Sequence, residues 1–394
     1  MRPLDSLVVL DLSRVLACPF ASMVLAELGA TVVKIEQPGA GDETRSFEPQ
    51  LAADSAYYFA CNRSKQSVTV NFRTSEGQAI IRELAAQADV LVENFPVGTL
   101  ARADLDQAAL RSINPRLIYV SCTGFGQSGP YAHKKGYDTV FQAMGGIMSL
   151  TGERGGGPVK PGLPIADLSS GLWVAIAILS ALAGRARTGE GCHVDYSMLD
   201  GQVSLLTLAA ARYFALGEIP ARLGTEHPGR VPSASFRCSD GRFAHVTASD
   251  QHWAALCEAL GLGQWGADAR FAGNASRVRH RDDVMRELTR AVGRLTRAQL
   301  IAKLDAAAVP VGPVNDVAEI LGDPHVAARG LVGEFDYPGV GRFKGRRLPY
   351  KFDGYEDPRF DAPPSLGEHT DAVLAARLGY SAEHLADLRS RKVI

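Results

Sequence analysis

The chain has 394 residues, of which 46% are hydrophobic and 22% are charged, with 42 lysines and arginines against 43 acidic residues. This composition is typical of a globular protein with a large core, and the length predicts two domains. A formal net charge of −1 lacks the basic excess that favours binding to nucleic acids or anionic membrane surfaces, so neither is an expected partner. The six cysteines show no CxxC spacing. We therefore expect no metal site, and free thiols fit a cytoplasmic protein.

Short apolar strands alternate with helical patterns through the first half of the chain. Nearly continuous apolar strands that alternate with helices are typical of a parallel sheet covered on both faces. We therefore predict an α/β fold with a Rossmann-like large domain. The predicted strands are 7–12, 31–36, 89–94 and 117–121, and the predicted helices are 20–28 and 75–88.

The pattern changes after residue 205, and a second domain is predicted. Residues 223–231 are rich in Gly, Pro and His and are predicted to be a linker. A smaller α+β domain is expected at 232–325, beginning with two strands and ending in turns at 309–314. A second linker, 326–329, would return the chain to the large domain, which comprises 1–222 and 330–394.

A dinucleotide cofactor is not expected, although the predicted sheet would suit one. The turn after the first strand, 13–19, contains no glycine. A GxGxxG sequence at that turn lets the backbone approach a pyrophosphate. Its absence argues against an NAD- or FAD-dependent oxidoreductase.

Asp167 is the most informative residue, because it comes just before the apolar stretch 172–183. That stretch is too short for a membrane span and predicts a buried helix. A carboxylate at a helix mouth meets unpaired N–H groups and the positive end of the helix dipole. On this segment alone Asp167 is an ordinary N-cap or, alternatively, a nucleophile whose oxyanion those amides would stabilise.

Short motifs along nearly the whole chain resemble those of one family, the class III CoA-transferases. This group includes formyl-CoA and carnitine CoA-transferases and the related α-methylacyl-CoA racemases. The order and spacing of the motifs together make the resemblance specific. The matching segments are 11–17, 28–36, 62–65, 93–95, 121–131, 136–138, 166–167, 189–199 and 366–370.

The resemblance implies that Asp167 is a covalent nucleophile. Its carboxylate would attack an acyl-CoA thioester to give an aspartyl anhydride, and CoA would return to form an aspartyl-CoA thioester. An acceptor acid would then take the CoA. The helix end is expected to stabilise the anion and lower the pKa of Asp167.

The resemblance also implies a CoA site and a site for the acyl substrate. CoA would be a substrate, and no tightly bound cofactor and no metal are expected. The residues implied for CoA are Arg14, Val15, Leu16, Ala17, Asn94, Phe95 and Arg102, with Lys34 and Arg45 as further cations for its phosphates. The residues implied for the acyl substrate are Tyr137, Arg45 and Arg63, with Lys135 as another candidate cation.

Tyr137 distinguishes two activities within this group. The racemases move an α-proton between a His and an Asp, and this chain has Tyr137 at the position of that His. The ordinary pKa of tyrosine, about 10, makes it a poor base at neutral pH. Transfer is therefore preferred, with the racemase as the alternative and a non-catalytic CoA-binding protein as a weaker one.

The motifs most resemble family members that use succinyl-CoA and a dicarboxylic acceptor. Succinyl-CoA is therefore the expected donor. Itaconate, mesaconate, malate, glutarate and hydroxymethylglutarate are the candidate acceptors. The resemblance further implies a ring-shaped chain that interlocks with a second copy in a homodimer.

Overall fold

The computed structural model describes all 394 residues and groups them into two compact units. The first unit comprises 1–147, 161–215 and 327–394, and the second comprises 148–160 and 216–326. The segment 148–160, predicted within the large domain, thus belongs to the second unit. There the N–H of Gly224 donates to the carbonyl of Gly152 (2.8 Å), and Arg222 Nε donates to the carbonyl of Gly156 (2.9 Å).

The first unit is built on a six-stranded sheet in the order β5-β2-β1-β6-β7-β8, and every neighbouring pair is parallel. This is the strand order of a Rossmann-type fold, so the predicted α/β class is confirmed. The strands are β1 (Val8–Asp11), β2 (Thr31–Glu36), β3 (Gln50–Leu51), β4 (Asp54–Ser55), β5 (Gln66–Thr69), β6 (Val90–Glu93), β7 (Ile118–Thr123) and β8 (His193–Ser197). Strands β3 and β4 form a separate antiparallel pair.

Helices cover the six-stranded sheet on both faces. The helices up to residue 216 are α1 (Ala17–Glu27), α2 (Ala56–Cys61), α3 (Ser75–Ala85), α4 (Gln107–Ile113), α5 (Asp138–Met144), α6 (Ile147–Leu150), α7 (Ile165–Thr188), α8 (Met198–Leu205) and α9 (Thr207–Leu216). On one face of the sheet, Leu10 of β1 and Leu91 of β6 pack against side chains of α3 and α4. On the opposite face of the sheet, Val9 of β1 and Val90 of β6 pack against side chains of α1 and α7. Adjacent strand residues therefore point into different cores, as the pleat requires.

Helix α7 lies unusually close to α1. A Cβ atom on Gly171 would be 2.6 Å from the carbonyl oxygen of Ala17 and 2.7 Å from the ring of Phe20. By length and composition α7 could cross a membrane, a test that the core helices of soluble proteins also pass. One side of it is exposed, with Leu172, Trp173 and Ile176 between 40% and 51% accessible.

The second unit has a three-stranded antiparallel sheet in the order β11-β10-β9. Its strands are β9 (Ser233–Arg237), β10 (Phe243–Thr247) and β11 (Val311–Pro313). The following helices are α10 (Asp250–Ala259), α11 (Gly263–Gly266), α12 (Asn274–Arg279), α13 (Arg281–Val292), α14 (Arg297–Ala306), α15 (Val317–Leu321) and α16 (Pro324–Ala328). The prediction of turns alone at 309–314 is wrong, because β11 pairs with β10 along the sheet edge.

The C-terminal residues return to the first unit. They form a hairpin of β12 (Val332–Tyr337) and β13 (Gly341–Arg346), followed by α17 (Thr370–Leu378) and α18 (Ala382–Ser390). Val373 and Leu385 of these two helices join the core that contains α3 and α4. The chain end is thus part of the main core of this unit.

Candidate active site

The strand order reverses between β1 and β6, which are neighbours in the sheet. In open parallel sheets, ligands bind in the crevice outside the carboxyl ends of such a pair. The loops that follow these two strands meet there. The backbone N–H of Arg14 donates to Asn94 Oδ1 (2.9 Å), and Asn94 Nδ2 donates to the carbonyl of Arg14 (2.7 Å). The guanidinium of Arg14 lies 4.8 Å from the centre of the Phe95 ring.

The loop after β1 is held in a strained conformation. Val15 has a φ of +69°, a left-handed conformation that a β-branched residue rarely adopts. Its N–H lies 3.3 Å from each carboxylate oxygen of Asp42. Leu16 then precedes α1, which begins at Ala17. Strained backbone of this kind persists only where surrounding contacts fix it, and it is frequent at ligand sites.

Lys34 lies beneath this loop and is fully buried. Its ammonium donates to Asp42 Oδ2 (2.8 Å) and to the carbonyl of Ser13 (2.9 Å). Burial opposes its charge, but the carboxylates of Asp42 and Asp11 outweigh that effect and raise the pKa of Lys34. A charged lysine that fixes a loop from below does not fit the predicted contact with a CoA phosphate.

Arg45 and Arg63 are buried as well, with 6% and 2% of their surface exposed. Arg45 bonds Glu36 (2.7 and 2.8 Å) and Asp54 (2.6 Å), and Arg63 bonds Glu27 (2.7 and 3.1 Å). Both guanidinium groups are thus engaged in ion pairs inside the protein. Their geometry does not fit the predicted contacts with a phosphate or with the second carboxylate of an acid.

Arg102, in contrast, is exposed on a short 3-10 helix, Ala101–Ala103. Its only side-chain hydrogen bond is a long one, 3.5 Å, to Thr99 Oγ1. The preceding loop, 95–101, borders a cavity of about 320 Å³ that Glu93, Ser121 and His193 also line. Arg102 and Arg14 are therefore the predicted CoA-binding cations whose side chains stay exposed beside this crevice.

Asp167 is the third residue of α7, which begins at Ile165 after Pro164. It is not the N-cap, and its half-buried carboxylate has no hydrogen-bond or ion-pair partner. Burial and, to a lesser extent, the carboxylate of Asp138 raise the pKa of Asp167 to about 7. The prediction of a lowered pKa is therefore wrong, because the helix end does not stabilise this carboxylate.

The N–H groups at the mouth of α7 are taken by Asp138 instead. Asp138 Oδ1 accepts from the N–H of Ala166 (2.9 Å) and of Asp167 (3.1 Å). Asp138 Oδ2 accepts from Gln142 Nε2 (2.5 Å). The sequence signal was present in the Gly-Tyr-Asp motif, but which helix this aspartate would cap could not be derived from spacing.

Tyr137 is the N-cap residue of α5 and is 81% exposed. It is next to Asp138 in the chain and therefore near the mouth of α7. No histidine stands at this position, and His133 is exposed in the preceding loop. Near this position the structure therefore places the unpaired carboxylate of Asp167 and no imidazole.

Comparison with known proteins identifies the family. Residues 4–370 match CoA-transferase family III. The chain belongs to this family. A succinyl-CoA:glutarate CoA-transferase of Mus musculus is 36% identical, over 100% of this chain and 91% of its own length. A succinate–glutarate CoA-transferase of Agrobacterium fabrum is 40% identical, over 95% of each chain.

A solved structure supports the assignment of the fold. The crystal structure of a CAIB/BAIF family protein from Brucella suis has a TM-score of 0.86 and 42% identity to this chain. The match covers 95% of this chain and 99% of that one. The predicted family is confirmed, and the family III protein described here is an enzyme, a CoA-transferase whose substrates are CoA thioesters.

Proposed function

We propose that this enzyme transfers CoA from succinyl-CoA to a small dicarboxylic acid, with glutarate as the first acceptor to test. The support comes from relatives that match over most of the chain. Two of them are named for succinate or succinyl-CoA and glutarate. Others are named for oxalate, mesaconate and L-malate. All five acids are dicarboxylates, so an acceptor with two carboxylates is the shared property.

The observation that carries the proposed mechanism is the state of the Asp167 carboxylate. It has no partner inside the protein, and its pKa of about 7 gives a large anionic fraction at neutral pH. A carboxylate of raised basicity that is not engaged elsewhere is a better nucleophile than an ordinary aspartate.

In the first half of the proposed reaction, CoA passes from the donor acyl group to Asp167, and the donor acid is released. An oxygen of Asp167 attacks the thioester carbonyl, the C–S bond breaks, and CoA leaves as a thiolate. The product is a mixed anhydride between Asp167 and the donor acyl group. The thiolate then attacks the Asp167 carbonyl of the anhydride, which forms aspartyl-CoA thioester and releases the donor carboxylate.

The second half repeats these steps with the acceptor. A carboxylate oxygen of the acceptor attacks the carbonyl of the aspartyl-CoA thioester and expels the thiolate, which gives a new anhydride. The thiolate attacks the acceptor carbonyl, and the Asp167 carboxylate leaves. No proton and no water is consumed, so exclusion of water from the site preserves the energy of the thioester.

The second carboxylate of the acceptor needs a polar partner near Asp167. Arg45 and Arg63 are engaged in buried ion pairs. We therefore propose the exposed hydroxyl of Tyr137, with the exposed Lys135 two residues earlier. Itaconate and hydroxymethylglutarate share the two carboxylates of the named acids and stay among the proposed acceptors.

A donor–acceptor screen by mass spectrometry tests the function. Succinyl-CoA is mixed with each dicarboxylate, and we expect the CoA ester of at least one acceptor to form together with succinate. Solvent deuterium at the α-carbon of the acyl group is measured in the same samples. Deuterium uptake without CoA transfer would instead support the racemase alternative.

A trapping experiment tests the covalent mechanism. Incubation with succinyl-CoA alone, followed by hydroxylamine or borohydride, should modify the peptide that contains Asp167. The Asp167→Asn variant should give a folded protein with no modified peptide and no transfer. An unmodified Asp167 in a wild-type enzyme with normal turnover would overturn the mechanism.

We also propose that two copies form the interlocked dimer that the resemblance implies. Apolar side chains of α7 and α9 are exposed, among them Trp173 at 40%, Leu208 at 83% and Phe214 at 81%. A second copy would cover such a surface. Light scattering should give the mass of a dimer that persists on dilution, because interlinked chains cannot separate while folded. A monomer at any concentration would contradict this proposal.

The proposed location is the cytoplasm. All six cysteines are free, and five of them are buried. Unpaired thiols are typical of a reducing compartment. Cell fractionation followed by an activity assay would test the location, and activity in an oxidising compartment would contradict it.

A further inference from the structure

The mouth of α7 is occupied by a second carboxylate, that of Asp138. Its Oδ1 accepts the N–H groups of Ala166 and Asp167, and its Oδ2 accepts from Gln142. The two acids lie on different helices, α5 and α7, which pack against each other. Asp138 thus takes the hydrogen bonds that a helix end offers to an anion, and Asp167 has none.

This arrangement is unfavourable for an ordinary aspartate. A free helix mouth would bind the Asp167 carboxylate and stabilise its negative charge. A bonded carboxylate of this kind would be a weaker nucleophile and would point at the helix end. Asp138 removes that stabilisation and adds the repulsion of a like charge.

We propose that Asp138 is a positioning residue that keeps the Asp167 carboxylate away from the helix end and destabilises its charge until the carboxylate becomes acylated. This inference rests on the proposed function, since it assumes that Asp167 is the nucleophile. It extends that function by assigning a role to the neighbouring acid.

The energetic consequence follows from the charges of the proposed intermediates. Asp167 is negative in the free enzyme but uncharged in the anhydride and in the aspartyl-CoA thioester. The repulsion from Asp138 is therefore present in the free enzyme and absent in each covalent intermediate. Formation of both intermediates is favoured, because only the ground state is destabilised.

Asp138 is the charged group that affects Asp167 most among those near it. The elements packed against α7 are α1, α5, α8, β7 and β8. Burial of Asp167 comes first among the causes of its raised pKa, and Asp138 is the one charged group that adds to it. The ionisable side chains that these elements place around the N-terminal half of α7 are Cys18, Cys122, Asp138, Tyr196 and Asp200. None of them is a cation that would offset the repulsion.

Asp138→Asn is a well-matched test variant, because Gln142 can accommodate it. Gln142 Oε1 is buried and has no hydrogen-bond partner. If the amide of Gln142 turns over, Oε1 can accept from the side-chain amide nitrogen that the substitution introduces. The amide oxygen of the substituted side chain still accepts the two N–H groups of α7. The variant therefore removes the charge and keeps the cap.

The experiment measures the rate of adduct formation at Asp167 against pH, with succinyl-CoA and no acceptor. The wild-type rate should rise with pH to a plateau, with a midpoint near the pKa of Asp167, about 7. In Asp138→Asn the midpoint should move down by about one pH unit, and the plateau rate should fall several-fold. Asp138→Glu, which keeps the charge, should keep the midpoint of the wild type.

Asp200→Asn is the matched control. It removes a carboxylate from the first turn of α8, which also packs against α7, and it should leave the midpoint and the plateau unchanged. A role of Asp138 in folding alone would lower the melting temperature of Asp138→Asn without moving its midpoint.

Two results would overturn the inference. One is an identical midpoint in wild type and Asp138→Asn. The other is a wild-type rate of adduct formation whose pH midpoint lies near the pKa of an ordinary aspartate. This second result is obtained with the wild-type enzyme alone and does not depend on whether a variant folds. The absence of any adduct at Asp167 in an active wild-type enzyme would instead contradict the proposed function, so the two failures can be distinguished.

Discussion

Asn94 and Arg14 form a reciprocal pair in which one side-chain amide satisfies both backbone groups of one residue, at 2.9 and 2.7 Å. The pair connects the loop after β6 with the loop after β1, and these strands are adjacent where the sheet order reverses. A single side chain therefore fixes the two loops that border the proposed CoA crevice.

Replacement of Asn94 should weaken the binding of CoA thioesters. Asn94→Ala frees the backbone of Arg14 and removes two hydrogen bonds, a loss of about 1 kcal/mol each. The KM for succinyl-CoA should rise about tenfold, with a smaller change in kcat, as initial-rate kinetics would show. Asn71→Ala, at a half-buried site where the side chain accepts only the N–H of Arg73 (3.2 Å), is the control. An equal loss in both variants would contradict a specific role of Asn94.

Arg102 should contribute charge to CoA binding. Its guanidinium is exposed and makes only one long hydrogen bond, 3.5 Å, to Thr99 Oγ1. It can therefore pair with a phosphate without breaking a strong internal contact. Arg102→Ala should raise the KM for succinyl-CoA and should reduce the dependence of that KM on salt concentration. Stability should not change. If the KM of Arg102→Ala kept the wild-type salt dependence, Arg102 would not contact a CoA phosphate.

Arg45 should affect stability and not the binding of the acceptor. Arg45→Ala leaves the buried carboxylates of Glu36 and Asp54 without their cation, which costs about 3–5 kcal/mol. Thermal unfolding should show a large fall in Tm, whereas the KM of the folded fraction for the acceptor acid should be unchanged. A raised KM at an unchanged Tm would restore the role predicted from the sequence.

Asp167 should lower the stability of the protein at high pH. Its pKa is raised by folding to about 7, so the folded state holds a proton that the unfolded state has lost, and stability falls as pH rises towards 7. Asp167→Asn removes this effect, so the variant should be more stable than the wild type. The difference in the free energy of unfolding, measured by denaturant titration, should grow between pH 5 and pH 8 by about 1 kcal/mol once partial exposure is allowed for. A constant difference would contradict the raised pKa.

The sheet could be predicted because its signal is local. Strands such as Val90–Glu93 are apolar at almost every position, and that pattern requires cover on both faces. The edge strand Val311–Pro313 has only three residues and includes a proline. Its pairing with β10 depends on contacts across the sheet that no local pattern contains.

The site was predicted less completely, because burial of charges is a property of the fold. Lys34 and Arg102 were both predicted to bind CoA, and nothing in the sequence around them shows which of the two is buried. The structure pairs Lys34 with Asp42 and leaves Arg102 exposed. The contact of Asp138 with Ala166 joins residues 28 positions apart, so it too could not be derived from spacing.

Gly171, four residues after Asp167, limits how this enzyme can be altered. Any side chain there would collide with the carbonyl of Ala17, 2.6 Å from the added carbon. Helix α7 would have to move away from α1 and would carry Asp167, the proposed nucleophile, with it. The preference for an acceptor acid is therefore easier to change by substitutions at exposed positions such as Tyr137 than by substitutions that move α7 and with it Asp167.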